Sequence, residues 1–265
     1  MTEEQHTALQ DATRCLEVFW RRRTIRHFRP DPIPEEDVAL MLRAAQRAPT
    51  DATAQMYTLI RIRDRHLRHR LAELAGNQEH IRQCAEFFIV CLDVYRLQRL
   101  VEHRGGTFGM GNRLALIFGT LDAALAAENL AVAAEMLGYG TCFIGGVQNA
   151  VDVIARLLRL PPGVLPICGL CVGVPDPAHI PERPRPRLPQ SLVVHEDVYH
   201  DYTPEDLEAG YKAMAAISRS GDWYTVLARY FTVGGVMEKR EPVMARAWAQ
   251  QALAPQGDDE GQTEE

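Results

Sequence analysis

Two arginine-rich segments contain the residues of this chain that are best suited to binding chemistry. The first is Arg21–Pro30 (RRRTIRHFRP) and the second is Arg183–Pro189 (RPRPRLP). Ile25 and Phe28 interrupt the first segment as apolar anchors, and prolines stiffen the second. A guanidinium group matches phosphate oxygens with two parallel hydrogen bonds. The two segments therefore predict a site for a small phosphorylated ligand, although a lone arginine run is more commonly a solvated surface patch.

Three other motifs have the wrong residues or spacing for the chemistry that they resemble. Gly106–Arg113 has the glycine spacing of a P-loop, but Asn112 stands where the phosphate-binding lysine belongs. Gly109 and Gly111 match the first two glycines of the G-x-G-x-x-G motif that binds dinucleotides, but Leu114 stands at the position of the third glycine. In His195–His200 the histidines are five residues apart and would diverge around a helix, so a zinc-protease site is not predicted.

The six cysteines predict free thiols. Cys168 and Cys171 form a C-x-x-C pair inside an apolar run, where residues three apart on a strand point to opposite faces. Core packing is therefore favoured over a redox dithiol, which needs a helix N-terminus to lower its pKa. The chain has no G-x-S-x-G elbow and no second cysteine pair with metal spacing, so no hydrolytic nucleophile and no metal site is predicted.

Charge and hydropathy exclude further classes of protein. The chain has 29 basic and 35 acidic residues and a formal net charge of -6, which argues against a nucleic-acid-binding role. The N-terminal residues are acidic and lack an apolar run, so we expect a cytoplasmic protein. The apolar stretch from Leu114 to Leu137 contains Asp122, Glu128 and Glu135, which indicates a buried helix rather than a membrane span.

Alternating helical and strand patterns predict an α+β or α/β layout. Tyr57–Arg63 alternates between apolar and polar residues like a half-buried strand. Two short apolar runs predict strands that are buried on both faces, at Glu86–Leu92 and Leu165–Gly173. Helical spacing is found at Thr7–Trp20, from Pro34 to near Ala48, at His66–Ala75, at Leu114–Leu137 and across Tyr202–Ala252.

We expect a single domain over residues 1–255, followed by an acidic, disordered tail at 256–265. The proline-rich residues Val174–Leu188 predict an extended segment. The helix at Leu114–Leu137 is apolar around most of its circumference and rich in alanine, so it must be covered on all sides. Its small side chains allow a second helix to approach closely, which favours a homodimer centred on this helix.

Five colinear blocks resemble the nitroreductase/flavin reductase family, and most of all its oxygen-insensitive NADPH nitroreductases and NADPH-flavin reductases. The blocks are Arg22–Phe28, Ala48–Gln55, Leu74–Gln78, Gly140–Gly146 and Arg185–Pro189. The resemblance implies an α+β fold in which helices flank a mainly antiparallel sheet. It also implies a homodimer with FMN bound at the interface.

The resemblance further implies which residues bind FMN. They are Arg22, Arg23, Thr24, Arg26, Thr50, Asp51, Ala52, Gln55, Gln78, Ile144, Gly145, Gly146, Arg185 and Arg187. In the family pattern, Arg23, Arg185 and Arg187 would hold the phosphate, with Arg22 and Thr24 beside it.

The other matching positions face the flavin ring. Arg26 and Gln78 would contact the pyrimidine edge, where a fixed cation stabilises the charge of the reduced ring. Gly145 and Gly146 would let the backbone approach N5. Residues Thr50–Thr53 correspond to a loop that the partner subunit lays against the cofactor.

This sequence departs from the family pattern in two places. Asp51 brings a negative charge into the loop that would lie beside an anionic cofactor. Relatives carry an arginine-rich loop that reads the NADPH phosphate, whereas this chain offers only Ser218–Asp222. Arg219 is therefore the candidate contact for the 2′-phosphate of NADPH, although a lone surface arginine commonly has no ligand.

The implied function is an FMN-dependent oxidoreductase that uses NADPH or, less well, NADH. Hydride would pass to FMN and then to a small-molecule acceptor such as a nitroaromatic, a quinone or a flavin, in a ping-pong order. No protein side chain need act as a catalytic acid or base, because the cofactor carries the chemistry. The alternative is a non-catalytic protein that binds a flavin or another anion.

Overall fold

The computed structural model of the chain describes residue 13 and residues 15–254. The chain divides into two compact units, Met1–Ile180 with Val243–Glu265, and Pro181–Pro242, here named the first and second units. The predicted acidic tail at 256–265 lies outside the described residues, and the expectation of one domain over residues 1–255 stays a prediction.

The first unit is built on a four-stranded antiparallel sheet. Its strands are β1 (Tyr57–Arg61), β2 (Glu86–Asp93), β3 (Gly140–Ile144) and β4 (Val164–Gly173). Their order across the sheet is β1-β2-β4-β3, and every neighbouring pair is antiparallel. This confirms the predicted α+β class with an antiparallel sheet. Sequence periodicity had not predicted β3.

The central strand β2 is buried at every position. Phe87 and Ile89 pack into one apolar cluster with Leu71 and Ile81 from the helices on that side. Phe88 packs into a different cluster, which contains Leu130. Because successive side chains of a strand point to opposite faces, both faces of the sheet are covered by helices. The prediction that β2 is buried on both sides is confirmed.

Ten α-helices are found in the described part of the chain. They are α1 (residues 15–21), α2 (Glu35–Ala45), α3 (Arg65–Leu74), α4 (Glu79–Gln83), α5 (Tyr95–His103), α6 (Asn112–Met136), α7 (Val151–Leu157), α8 (Pro204–Met214), α9 (Tyr224–Phe231) and α10 (Val236–Gln250). The predicted helix at Thr7–Trp20 lies partly outside the described residues. The helix predicted from Pro34 ends at Ala45, three residues early.

Helix α6 packs against α2 and the sheet. At Gly119 an added Cβ would lie 3.1 Å from the Leu92 Cβ, so a glycine permits the close approach of α6 to β2. By length and composition alone, α6 is the one helix in the described residues that could cross a membrane. Its packing in the first unit is that of a core helix.

One stripe of α6 is nevertheless exposed. Leu114, Ile117 and Leu121 follow one another at helical spacing and are 51%, 62% and 49% exposed. In the isolated chain the helix is not covered on all sides, so the expected cover by a second copy stays a prediction. Within the described residues, the sheet and α2 cover part of the helix, and Val243 and Trp248 share an apolar cluster with Ala115 near its start, but this stripe has no cover.

The second unit begins with residues Pro181–Pro189, which form no helix or strand, as the prolines predict. Helix α8 follows and starts with a capping box, in which the side chains of Thr203 and Asp206 each bond the backbone N–H of the other. Helix α9 and the start of α10 complete this unit, and the rest of α10, from Val243, belongs to the first unit. Together these helices account for most of the helical pattern predicted at Tyr202–Ala252.

Candidate functional site

The first arginine-rich segment lies along the edge strand β3. Thr24 forms a parallel bridge with Thr141, and the Ile25 N–H donates to the Thr141 carbonyl oxygen at 2.9 Å. Ile25 and Phe28 are buried, as their predicted role as anchors requires. The charged side chains between them are thereby held on a fixed backbone rather than on a mobile loop.

Arg22 and Arg23 line a cavity of about 360 Å³ together with Arg21 and Glu135. The Arg22 Nε lies 3.6 Å from the Glu135 carboxylate, which also accepts a hydrogen bond from the Thr141 hydroxyl. Burial raises the pKa of Glu135 above its ordinary value, against the opposing effects of Thr141 and Arg22. Three guanidinium groups face one carboxylate, so this N-terminal cavity suits an anion.

A second group of predicted residues meets at the other end of β3. Ile144 is buried, and the strand continues into Gly145 and Gly146. A Cβ on Gly146 would lie 2.2 Å from the Ala75 carbonyl oxygen and 2.4 Å from the Gln78 Nε2, so only glycine fits there. The structure thus brings together Gln78 and Gly146, two of the residues that the family resemblance assigned to FMN.

Gly145 has the opposite environment. A Cβ at this position would meet no atom within 4 Å, and the residue is exposed. The backbone at Gly145 therefore presents an open surface beside the contact between Gly146 and Gln78. A flat ligand could approach the main chain here without a side chain in its way.

Sequence reasoning missed His80, which lies two residues after Gln78. His80 is only 8% exposed, and its Nε2 has no hydrogen-bond partner in the described residues. Burial and the nearby positive charge of Arg26 lower the pKa of His80, so the imidazole is neutral at pH 7. An unsatisfied buried nitrogen next to predicted cofactor residues is a hydrogen-bonding group available to a ligand.

The predicted partner loop, Thr50–Thr53, and the next two residues have an unusual backbone, and the whole segment is here named the Thr50–Gln55 loop. Ala52, Thr53 and Gln55 have φ angles of 46°, 57° and 53°, which are left-handed values that residues other than glycine rarely adopt. Strained backbone of this kind is concentrated at functional sites. Asp51 is exposed, so its side chain is directed to solvent in the isolated chain.

Asp122 of α6 holds this loop, and sequence reasoning missed its role. It is fully buried, and its two carboxylate oxygens accept the backbone N–H groups of Asp51 and Met56, each at 2.9 Å. Arg96 adds a second anchor by donating to the carbonyl oxygens of Gln55 and Tyr57. The left-handed residues are thus fixed between two charged side chains.

Within one chain, the loop and the N-terminal cavity lie far apart. Asp122, which holds the loop, and Glu135, which lines the cavity, are both on α6. At 1.5 Å of rise per residue, they are separated by roughly 20 Å along the helix axis. The structure therefore separates the Thr50–Gln55 loop from the N-terminal cavity of the same chain.

Arg185 and Arg187 belong to the second unit, where they line a cavity of about 540 Å³ with apolar side chains such as Trp223. The Arg187 guanidinium donates to the Arg185 carbonyl oxygen at 3.1 Å. Their predicted contact with a cofactor phosphate stays a prediction.

Arg219 is exposed in a short turn of the same unit. The Ser218 hydroxyl lies 2.7 Å from that of Ser220 and 2.9 Å from that of Thr225. The turn is therefore held by its own hydrogen bonds, and the guanidinium group is accessible to an anion.

The structure agrees with core packing of the C-x-x-C pair. Burial raises the pKa of Cys168 to about 11 and also raises that of Cys171, whereas a redox dithiol needs a lowered value. The cysteines are free, as predicted. No group of three or more metal-binding side chains occurs among the described residues, which include His195 and His200.

Comparison with known proteins gives the family. The sequence profile described as "Nitroreductase family" matches residues 20–174. A relative named "FMN reductase (NADPH)" from Bacillus subtilis is 36% identical over 192 residues, which cover 72% of this chain and 76% of the relative. An "Oxygen-insensitive NADPH nitroreductase" from Salmonella typhimurium is 38% identical over 184 residues, covering 69% of this chain and 74% of the relative.

A solved structure agrees with these sequence matches. "NADPH:FMN oxidoreductase from Vibrio harveyi complexed with NAD+" superposes with a TM-score of 0.71 at 28% identity, covering 86% of this chain and 97% of that chain. The profile match includes the arginine segment, the strained loop, Gln78 and the two glycines after β3. On the extent of these matches, the chain belongs to the nitroreductase family.

Proposed function

We propose that the protein is an FMN-dependent oxidoreductase that takes electrons from NADPH, and less efficiently from NADH, and passes them to small organic acceptors. The observation that carries the proposal is the arrangement along β3, where a guanidinium-lined cavity lies at one end and an open glycine backbone at the other. This arrangement fits a ligand with a phosphate at one end and a flat ring at the other.

The residues of the first unit divide into two groups by their chemistry. Arg22 and Arg23 would bind the phosphate, because paired guanidinium groups match its oxygens. Gln78 and the neutral His80 offer hydrogen bonds to the ring, and Arg26 places a positive charge beside it. FMN, when bound, supplies the transfer of a hydride from the nicotinamide and of electrons to the acceptor.

With the flavin ring against the Gly145 backbone, the two substrates would use the opposite, open face of the ring in turn. One shared face that admits nicotinamide first and an acceptor afterwards gives a ping-pong order. The acceptors that suit such a surface are flat molecules such as nitroaromatics, quinones and free flavins. The protein contributes orientation and a fixed electrostatic environment, and no side chain serves as a general base.

We also propose that the protein acts as a homodimer. The exposed stripe Leu114, Ile117 and Leu121 on α6 is an apolar surface at helical spacing that a second copy can cover. The strained Thr50–Gln55 loop is held roughly 20 Å along α6 from the N-terminal cavity. In a dimer, this loop of one protomer can complete the cofactor site of the other.

The proposal is tested on the purified protein by its absorbance spectrum and its turnover. It should be yellow, retain FMN, and oxidise NADPH when a quinone or nitroaromatic acceptor is present. A protein that binds FMN but shows no turnover with either nicotinamide would support the non-catalytic alternative. A protein that neither retains nor takes up FMN would contradict both.

The same assay identifies the phosphate ligands. Because a charge-assisted hydrogen bond contributes roughly 1.5–3 kcal/mol, Arg23→Ala and Arg187→Ala should each weaken FMN binding about 10- to 100-fold. Arg99→Ala is a matched control, since Arg99 is an exposed arginine on α5 paired with Glu102. Equal loss of FMN in the control would mean that these arginines are not specific phosphate ligands.

Glu135 should make FMN binding depend on pH. A bound phosphate beside this carboxyl group favours its protonated form, so affinity should fall as pH rises through its pKa, which lies above 4.5. Glu135→Gln should remove this component and bind FMN several-fold more tightly at neutral pH. Titration of both proteins with FMN between pH 5 and pH 8 measures the effect.

The matched control for this prediction is Glu128→Gln, which removes an exposed carboxylate from the same helix. Because the ionisation of the cofactor phosphate is the same in all three proteins, it cancels from their comparison. Parallel pH profiles for the wild type and Glu135→Gln would show that Glu135 does not face the phosphate.

Arg219 should determine the preference between nicotinamides. Only NADPH carries the 2′-phosphate, and a single exposed arginine contact gives a preference of about tenfold. Arg219→Ala should therefore bring the kcat/KM values for NADPH and NADH together while FMN stays bound. Lys212→Ala is the control in the same unit. An unchanged ratio in Arg219→Ala would assign the phosphate contact to another residue.

A further inference from the structure

A second cavity in the first unit contains none of the predicted FMN or NADPH residues. It has a volume of about 690 Å³ and lies among the Phe28–Pro32 segment, the start of α3, the end of α4 and the start of β2. The charged side chains and the histidine that line it are Arg63, Arg65, Arg68, Arg82, His69, Asp31 and Glu86. We name it the Arg68 cavity.

Both carboxylates of the Arg68 cavity are already neutralised. Asp31 lies 2.8 Å from the Arg29 Nε. Glu86 accepts two hydrogen bonds from Arg61, at 2.6 and 2.7 Å. Because both carboxylates pair with arginines outside the cavity lining, the four arginines of the lining have no carboxylate partner within the cavity.

Two of the four lining arginines find partners outside the cavity. Arg63 lies 3.3 Å from Glu35, and Arg82 lies 3.0 Å from Glu79. Arg65 and Arg68 have no carboxylate partner among the residues that the structure describes. The cavity therefore has an excess of about two positive charges, and the imidazole of His69 also lines it.

Arg68 is fixed in place before any ligand binds. Its guanidinium group donates to the carbonyl oxygens of Cys84 and Ile62, both at 2.7 Å. Its Nε is buried and has no hydrogen-bond acceptor in the described residues. A buried donor without an acceptor is uncommon and commonly marks a place where a ligand or water binds. A preorganised cation also loses little side-chain entropy when it binds an anion.

We propose that the Arg68 cavity binds the phosphate monoester of a small organic molecule of about nucleotide size. A phosphate dianion matches the excess of two positive charges, and a guanidinium group recognises its oxygens geometrically. The volume lies in the range of small-molecule sites and is large for a free phosphate ion. The proposal does not depend on FMN or on turnover.

The experiment measures binding of adenosine 5′-monophosphate to the purified protein with FMN present, by isothermal titration calorimetry. Adenosine is the uncharged comparison, and inorganic phosphate is the comparison without an organic group. We expect saturable binding of the nucleotide, weaker binding of inorganic phosphate and none of adenosine. Raising the salt concentration should weaken the nucleotide binding, because the contacts are ionic.

Arg65→Gln is the principal variant, because Arg65 is exposed at the start of α3 and its loss leaves no buried group unpaired. It should weaken nucleotide binding about tenfold. Arg70→Gln is the matched control, since Arg70 lies on the same helix, pairs with Glu73 and does not line the cavity. Both variants should keep the wild-type FMN content and the wild-type KM for NADPH, which separates this site from the proposed active site.

Three results would overturn the proposal. They are absence of saturable nucleotide binding, equal affinity in Arg65→Gln and the wild type, and equal loss in Arg70→Gln. Inorganic phosphate that binds as tightly as the nucleotide would show that the organic group adds no affinity, which would contradict a ligand of nucleotide size. Arg68→Lys provides a second variant, which keeps the charge but loses the planar group, and it should also weaken nucleotide binding.

Discussion

Gly146→Ala is expected to destabilise the protein by about 3 kcal/mol and to lower its Tm by roughly 10 °C. The added methyl carbon would lie 2.2 Å from the Ala75 carbonyl oxygen and 2.4 Å from the Gln78 Nε2. Backbone must move to relieve the first of these contacts, and the Gln78 side chain must move to relieve the second. Thermal unfolding followed by circular dichroism measures the change.

Gly145→Ala is the matched control, with a different expected outcome. Its methyl group would meet no protein atom within 4 Å, so the free energy of unfolding should change by less than about 0.5 kcal/mol. The same methyl group would lie on the open surface assigned to the flavin, so FMN binding should weaken at least tenfold. A Gly145→Ala protein that binds FMN as tightly as the wild type would place the flavin elsewhere.

Asp122→Ala is the second change with a large expected effect. It removes both carboxylate acceptors from the backbone N–H groups of Asp51 and Met56, near the two ends of the Thr50–Gln55 loop. Because each hydrogen bond to a charged group contributes roughly 1.5–3 kcal/mol, the free energy of unfolding should fall by about 3 kcal/mol. Denaturant titration measures the loss of stability, and native-state hydrogen exchange at Asp51 and Met56 localises it.

Two further variants make this prediction specific. Asp122→Asn keeps the shape and one acceptor oxygen, so it should recover about half of the lost stability. Glu128→Ala removes an exposed acidic residue from the same helix and should change little. Unchanged amide exchange at Asp51 in Asp122→Ala would show that Asp122 does not hold the loop.

The strands that sequence predicts best are those with continuous apolar runs. Glu86–Asp93 and Val164–Gly173 are buried on both faces, and this burial is visible in their composition. Strand β3 has only five residues and begins with Gly140, so its sequence lacks both length and alternation. It forms a strand because β4 and the Thr24–Ile25 backbone bond it, and those contacts come from distant parts of the chain.

Resemblance to a family, rather than residue patterns, supplied most residues of the candidate site, and their roles stay predictions. The meeting of Gln78 with Gly146 follows from family blocks that lie more than 60 residues apart in the sequence. Asp122 was visible only as a polar interruption in an apolar helix, because its partners Asp51 and Met56 are about 70 residues away. His80 carries no local signal, since its burial depends on tertiary packing.

The left-handed backbone of the Thr50–Gln55 loop has a consequence for its dynamics. Each such residue costs about 1–3 kcal/mol relative to ordinary backbone geometry. The cost is shared by Ala52, Thr53 and Gln55 and is opposed by the bonds to Asp122 and Arg96. When one anchor opens, the strain favours release of the whole loop, so we expect two discrete loop conformations rather than a continuous range.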